Sequence, residues 1–229
     1  MFGIDPLYWA MMLPVMLLSM FASFKVKSTF KKYSNILIKR GVTGADAARE
    51  ILQRNGLHHI PVEETSGFLS DHYDPGKKIV RLSADVYNNP SIASVGVAAH
   101  ETGHAIQHAT AYSFLTLRNL MVPIASFGSN FAWIIIIAGF IVNAMGLVKV
   151  GIVLFSVIVL FQIITLPVEF DASARAKKLL MSYNTVSQEE LAGVKKVLNA
   201  AAMTYVAAAA SSIVTLLYFI IRAGFLRDD

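Results

Sequence analysis

Apolar residues along this chain fall into two regimes, long uninterrupted runs and short amphipathic stretches. Four runs, at residues 7–24, 120–142, 147–168 and 200–221, each approach or exceed the roughly 20 residues that a helix needs to cross the hydrocarbon core of a bilayer. They predict four transmembrane helices. The third carries Lys149 near its start, from where a long side chain can reach the interface. The first has no basic segment before it and several lysines after it, which is the pattern of a retained anchor rather than a cleaved signal.

Between the runs the pattern shortens. Residues 25–40 are basic with scattered apolar positions and predict a continuation of the first helix along the membrane surface, broken by Gly41. Residues 43–55, TGADAAREILQRN, have a capping threonine, a strong helix-forming interior and Gly56 beyond the end, so a short amphipathic helix is expected. Residues 59–83 change character: FLSDHYD and KKIVRLS flank Asp74-Pro75-Gly76 and predict a hairpin. Asn89, Pro90 and Ser91 then start another helix, with Pro90 suited to its first turn. The expected fold is mainly α, a membrane protein with four transmembrane helices and an α+β portion at about 41–118 and 169–199. No repeat or linker divides the chain, so residues 1–229 read as a single membrane-embedded domain.

Composition agrees with that reading. Apolar residues make up 55 % of the chain, charged residues 15 %, and the mean hydropathy is +0.55, values foreign to a water-soluble domain. There is no cysteine, which excludes disulfides and thiolate-ligated metal sites. Twelve of the 20 Lys and Arg residues lie between Lys25 and Arg118 and five between Arg175 and Lys196, so the positive-inside rule places both segments in the cytoplasm and both termini outside. The long segment exceeds the range over which that rule is strongest. The better witness is KVKSTFKKY, directly after the first run; it also suits an anionic leaflet, although an ordinary positive flank explains it as well. The bilayer is the expected partner of these segments, and no nucleic acid is.

The candidate chemistry lies in AAHETGHAIQHAT, residues 98–110. On a helix, His100 and His104 share a face about 5–6 Å apart and can converge on one ion, while Glu101, about 100° around, stands beside it. Zinc accepts two imidazoles of this kind and needs a third protein ligand and an open position for water. That is the HExxH arrangement, with Glu101 as the base. His108 falls on the same stripe, but eight residues of helix rise about 12 Å, too far for it to share an ion with His100; it is expected in the core or against a ligand. Gly103 lowers helix propensity by about 1 kcal/mol and predicts close approach of something bulky. The third ligand has to come from elsewhere, and VEFDAS at 168–173 offers Glu169 and Asp171 at the cytoplasmic end of a span. Asp171 has Arg175 at i+4 as a competing partner. The 147–168 run and the DASARAKKLL that follows can form one helix bent near Pro167. Asp71, His72 and Asp74 form a second polar cluster, where ligation competes with the usual tendency of turn aspartates to cap their own backbone.

Taken together, AAHETGHAIQH, the preceding SDHYDP and the VEFDASARA after two spans resemble the bacterial YugP-like neutral zinc metallopeptidases and, more distantly, the HtpX-like membrane proteases and type I CAAX prenyl proteases. The resemblance covers nearly the whole chain. It implies a zincin-like (gluzincin) catalytic portion in which His100, His104 and Glu169 hold one zinc per chain and Glu101 is the base. In the HtpX-like group an aspartate follows four residues after the glutamate; here that position is Ser173. The implied reaction is hydrolysis of a peptide bond in an unfolded or membrane-attached protein, with His72, Tyr73 and Arg175 as candidates for supporting the oxyanion, and His108 and Asp171 for positioning a ligand. The strand expected around residues 68–71 would receive an extended substrate at its edge. Two other readings use the same residues: an ion-handling membrane protein, against which the HExxH helix lies outside the apolar runs, and an inactive scaffold that keeps the zinc fold.

Overall fold

The computed structural model describes residues 5–224. In chain order the elements are α1 (Pro6–Ser34), α2 (Gly44–Arg54), β1 (Val62–Thr65), β2 (His72–Asp74), β3 (Ile79–Ser83), α3 (Ala84–Tyr87), α4 (Ile92–Ala109), α5 (Ser113–Ile141), α6 (Met145–Ser182) and α7 (Gln188–Arg222). They form two compact units. Four of the helices, α1, α5, α6 and α7, are long and apolar enough to cross a membrane, and each contains one of the four apolar runs, except that α5 ends one residue short of Val142.

Of the described residues, the first unit comprises 5–22, 117–166 and 204–224. Its helices are apolar on nearly every face: Met20 is 66 % exposed, Leu120 68 % and Ile134 62 %. Such surfaces are stable only against lipid or a partner. Inside, Ala132, Ile136, Val148 and Ile152 are buried with Phe155 and Phe219, and Trp133 meets both phenylalanine rings edge-on. Ser19 and Ser211 share a hydrogen bond of 3.1 Å, the kind of side-chain contact that joins helices where water is absent.

The second unit, Ser23–Thr116 with Pro167–Met203, carries the candidate chemistry. Thr43 caps α2 by accepting from the Asp46 amide, and Asp46 accepts from the Thr43 amide in return, a reciprocal box that satisfies two otherwise unpaired donors. Ile51 and Leu52 of α2 are then buried with Val86, Val95, Leu180 and Leu198. The sheet has the order β1-β3-β2. β2 and β3 are the antiparallel hairpin expected around Pro75, with Tyr73 opposite Val80. β1 runs parallel to β3, Val62 opposite Val80. β3 is central and almost wholly buried, so the free hydrogen-bonding edges belong to β1 and β2.

Three details depart from the sequence reading. α1 stops at Ser34, well before Gly41, because the chain beyond it pairs with the segment ahead of α4: the Ile38 amide donates to the Pro90 carbonyl and the Ile92 amide to the Ile36 carbonyl. Pro90 lies outside α4, whose cap is Ser91, its side chain accepting from the Ser94 amide. Residues 68–71 are not a strand; Leu69 adopts a positive φ of 54°, and the segment turns into β2.

Candidate metal centre

α4 is capped at its start by Ser91 and anchored by burial of Val95, Ala98, Ala99 and Ala105. That leaves His100 and His104 on one side with ring centroids 4.7 Å apart. α6 supplies the facing group. Glu169 Oε2 stands 3.2 Å from His100 Nε2 and 3.6 Å from His104 Nε2, and the three donor atoms lie within 4.8 Å of one another. Among the described residues this is the one group of three or more side chains able to hold a metal ion. Two imidazole nitrogens and a carboxylate oxygen, with no thiolate, fit zinc's preference and leave room for a fourth, water-derived position.

The close approach predicted at Gly103 is made by backbone rather than by a bulky side chain. A Cβ there would lie 2.8 Å from the Ala172 carbonyl oxygen and 3.2 Å from its Cα, so the glycine lets α4 and α6 touch where the histidines must meet Glu169. The outer nitrogens of both imidazoles are occupied. His100 Nδ1 is 3.1 Å from the Ser173 hydroxyl, and His104 Nδ1 is 3.0 Å from Gln107 Oε1. Gln107, fully buried, donates to the Val168 carbonyl and to Asp171 Oδ2, both at 2.8 Å. Asp171 also accepts from Arg175 Nε at 2.6 Å, and the Arg175 guanidinium lies over the Tyr112 ring.

Burial alone would lower the His104 pKa, but the hydrogen bond to Glu169 and the nearby Glu101 and Glu169 charges outweigh it and hold the imidazole above its ordinary value. A cation between these groups would take the place of that proton. Glu101 is buried and stands outside the His100–His104–Glu169 group, near enough to act electrostatically on both His104 and Asp71. Burial is the larger cause that raises the Asp71 pKa, with Glu101 adding to it and the Ser83 hydrogen bond opposing.

The remaining sequence candidates are placed elsewhere. His72 is exposed, 2.8 Å from the Ser70 carbonyl and 3.4 Å from Arg81. The Tyr73 hydroxyl bonds His108 Nδ1 at 2.8 Å, one helical turn beyond His104 on α4, and neither residue belongs to the group that can hold the ion. Asp71 accepts from the Ser83 amide at 2.7 Å, and Asp74 caps its own turn through the Gly76 and Lys77 amides, so backbone capping takes both aspartates. Asp171 faces Gln107 and Arg175. Gln107 escaped the sequence reading; the available signal was an amide three residues after His104, on the helix face that carries His100 and His104.

Sequence comparison bears on the whole chain. The family described as "Putative neutral zinc metallopeptidase" matches residues 8–224. A relative from Bacillus subtilis (strain 168), "Putative membrane protease YugP", is 48 % identical over 212 residues, covering 93 % of this chain and 94 % of its own. No solved structure matches. With four helices fit to cross a bilayer and a donor set suited to zinc, the chain is a multi-pass membrane protein that belongs to the neutral zinc metallopeptidase family.

Proposed function

We propose that this protein is an endopeptidase of the gluzincin type, with His100, His104 and Glu169 as zinc ligands and Glu101 as general base. The observation that carries the reading is the convergence of those three donors within 4.8 Å from helices far apart in sequence. α4 packs against β2 and β3, which supports a zincin-like arrangement in which an extended peptide adds to the free edge of β2. Zinc, when bound, acidifies a water and polarises the scissile carbonyl. Glu101 takes a proton from the attacking water as its oxygen bonds to the carbonyl carbon, and returns it to the amine nitrogen as the C–N bond breaks. Folded soluble proteins are poor substrates on this reading, because they offer no extended segment.

The ligand set is tested by metal content. Purified in detergent, the protein is expected to hold one zinc per chain by elemental analysis; His104→Ala is expected to lose it and His108→Ala to keep it. Loss on changing His108 but not His104 would overturn the assignment.

The basic flanks of the segments bearing His100 and Glu169 support an active site at the cytoplasmic face. Single cysteines at Lys77 and Asn143, in this cysteine-free chain, report the orientation. An impermeant thiol reagent on intact cells is expected to label the second position and spare the first. The reverse pattern puts the site outside.

A further inference from the structure

Resting on the ligand set proposed above, we infer that Gln107 is a positioning residue that sets which ring nitrogen of His104 carries the hydrogen. Gln107 Nε2 sits 2.8 Å from the Val168 carbonyl oxygen and 2.8 Å from Asp171 Oδ2. A carbonyl only accepts, so the nitrogen end of the amide faces α6 and both its hydrogens are used there. The oxygen end therefore faces His104 Nδ1 at 3.0 Å. An amide oxygen only accepts as well, so Nδ1 must donate, and the lone pair of the neutral imidazole is left on Nε2, the nitrogen that faces Glu169. Arg175, holding Asp171 at 2.6 Å, keeps the far end of this chain of bonds in place.

His100 lacks such a device. Its Nδ1 faces the Ser173 hydroxyl, which can give or take a hydrogen bond and so permits either tautomer. Gln107 and Ser173 thus occupy equivalent places but do unequal work. Partners of this kind typically change metal affinity by about 10–100-fold.

The experiment measures zinc affinity by competition with a chelator of known strength, on full-length protein in detergent, with the melting temperature of each metal-free variant alongside. Gln107→Leu is expected to weaken zinc binding by about ten-fold or more. Gln107→Met, which fills the same space without an amide, does the same and serves if the leucine variant fails to fold. In both variants the melting temperature of the metal-free protein is expected to change far less than the zinc affinity, and Ser173→Ala stays within about three-fold of wild type. Wild-type affinity in Gln107→Leu or Gln107→Met, a zinc loss matched by an equal collapse of the metal-free protein's melting temperature in both, or an equal loss in Ser173→Ala overturns the inference. His104→Ala run in parallel separates the two levels: if it binds zinc like wild type the ligand set itself fails, whereas if it alone loses the metal only the role of Gln107 does.

Discussion

Glu101→Gln is expected to keep the full zinc content and to lose turnover by about two to four orders of magnitude, the usual contribution of a positioned general base. The residue follows His100 directly, so its side chain is rotated by about 100° from the imidazole and lies outside the group that can hold the ion. An amide of the same shape preserves the packing of this buried position and removes only the ability to take a proton. Elemental analysis and hydrolysis of a generic unfolded protein, measured on one preparation, give both halves of the result. Zinc loss comparable to that of His104→Ala would make Glu101 a ligand. A zinc-replete wild-type protein without any hydrolytic activity would favour the scaffold reading.

Gly103→Val is expected to lower stability and zinc affinity together. Helix propensity works in the opposite direction, since glycine is the poorest of the ordinary residues in a helix interior by up to about 1 kcal/mol. The contact decides the sign. A Cβ would stand 2.8 Å from a carbonyl oxygen of α6, and the obstacle is backbone, which cannot swing aside as a side chain can. Overpacking of this sort costs about 1–3 kcal/mol, or several degrees of melting temperature for a chain of this size. Moving α6 away also lengthens the 3.2 Å and 3.6 Å separations between the histidines and Glu169, so zinc affinity is expected to fall by at least ten-fold. A valine variant with wild-type melting temperature and zinc affinity would show that the two helices are not held by this contact.

Much of the architecture is legible because its signals are local. The apolar runs announce their helices by length, Thr43 and Asp46 mark the start of α2 by spacing, and His100 and His104 meet because four residues make about one turn. Glu169 stands out as a carboxylate at the end of an apolar run. What escapes is set by contacts between distant segments. In β1 only Val62 is buried, so Val-Glu-Glu-Thr shows no strand alternation, and it becomes a strand because β3 offers a parallel partner. The end of α1 is decided by pairing with Pro90 and Ile92, which no helix-breaking residue near Ser34 foretells. Gln107 reads as a neutral helix residue until Val168 and Asp171, 61 and 64 positions away, orient its amide.

The wide interval between His100 and Glu169, 69 residues, has a consequence for biosynthesis. That interval holds the remainder of α4, the whole of α5 and most of α6, including two of the four apolar runs. A ribosome that has delivered the HExxH helix has therefore not yet delivered the carboxylate, and will not until both intervening hydrophobic segments have emerged. On the proposed ligand set, the nascent chain carries an incomplete, two-donor site while the second and third apolar runs are being made. On that reading the site cannot close until three of the four apolar runs have been made, and of those runs only the one in α7 remains to be delivered when Glu169 joins the two histidines.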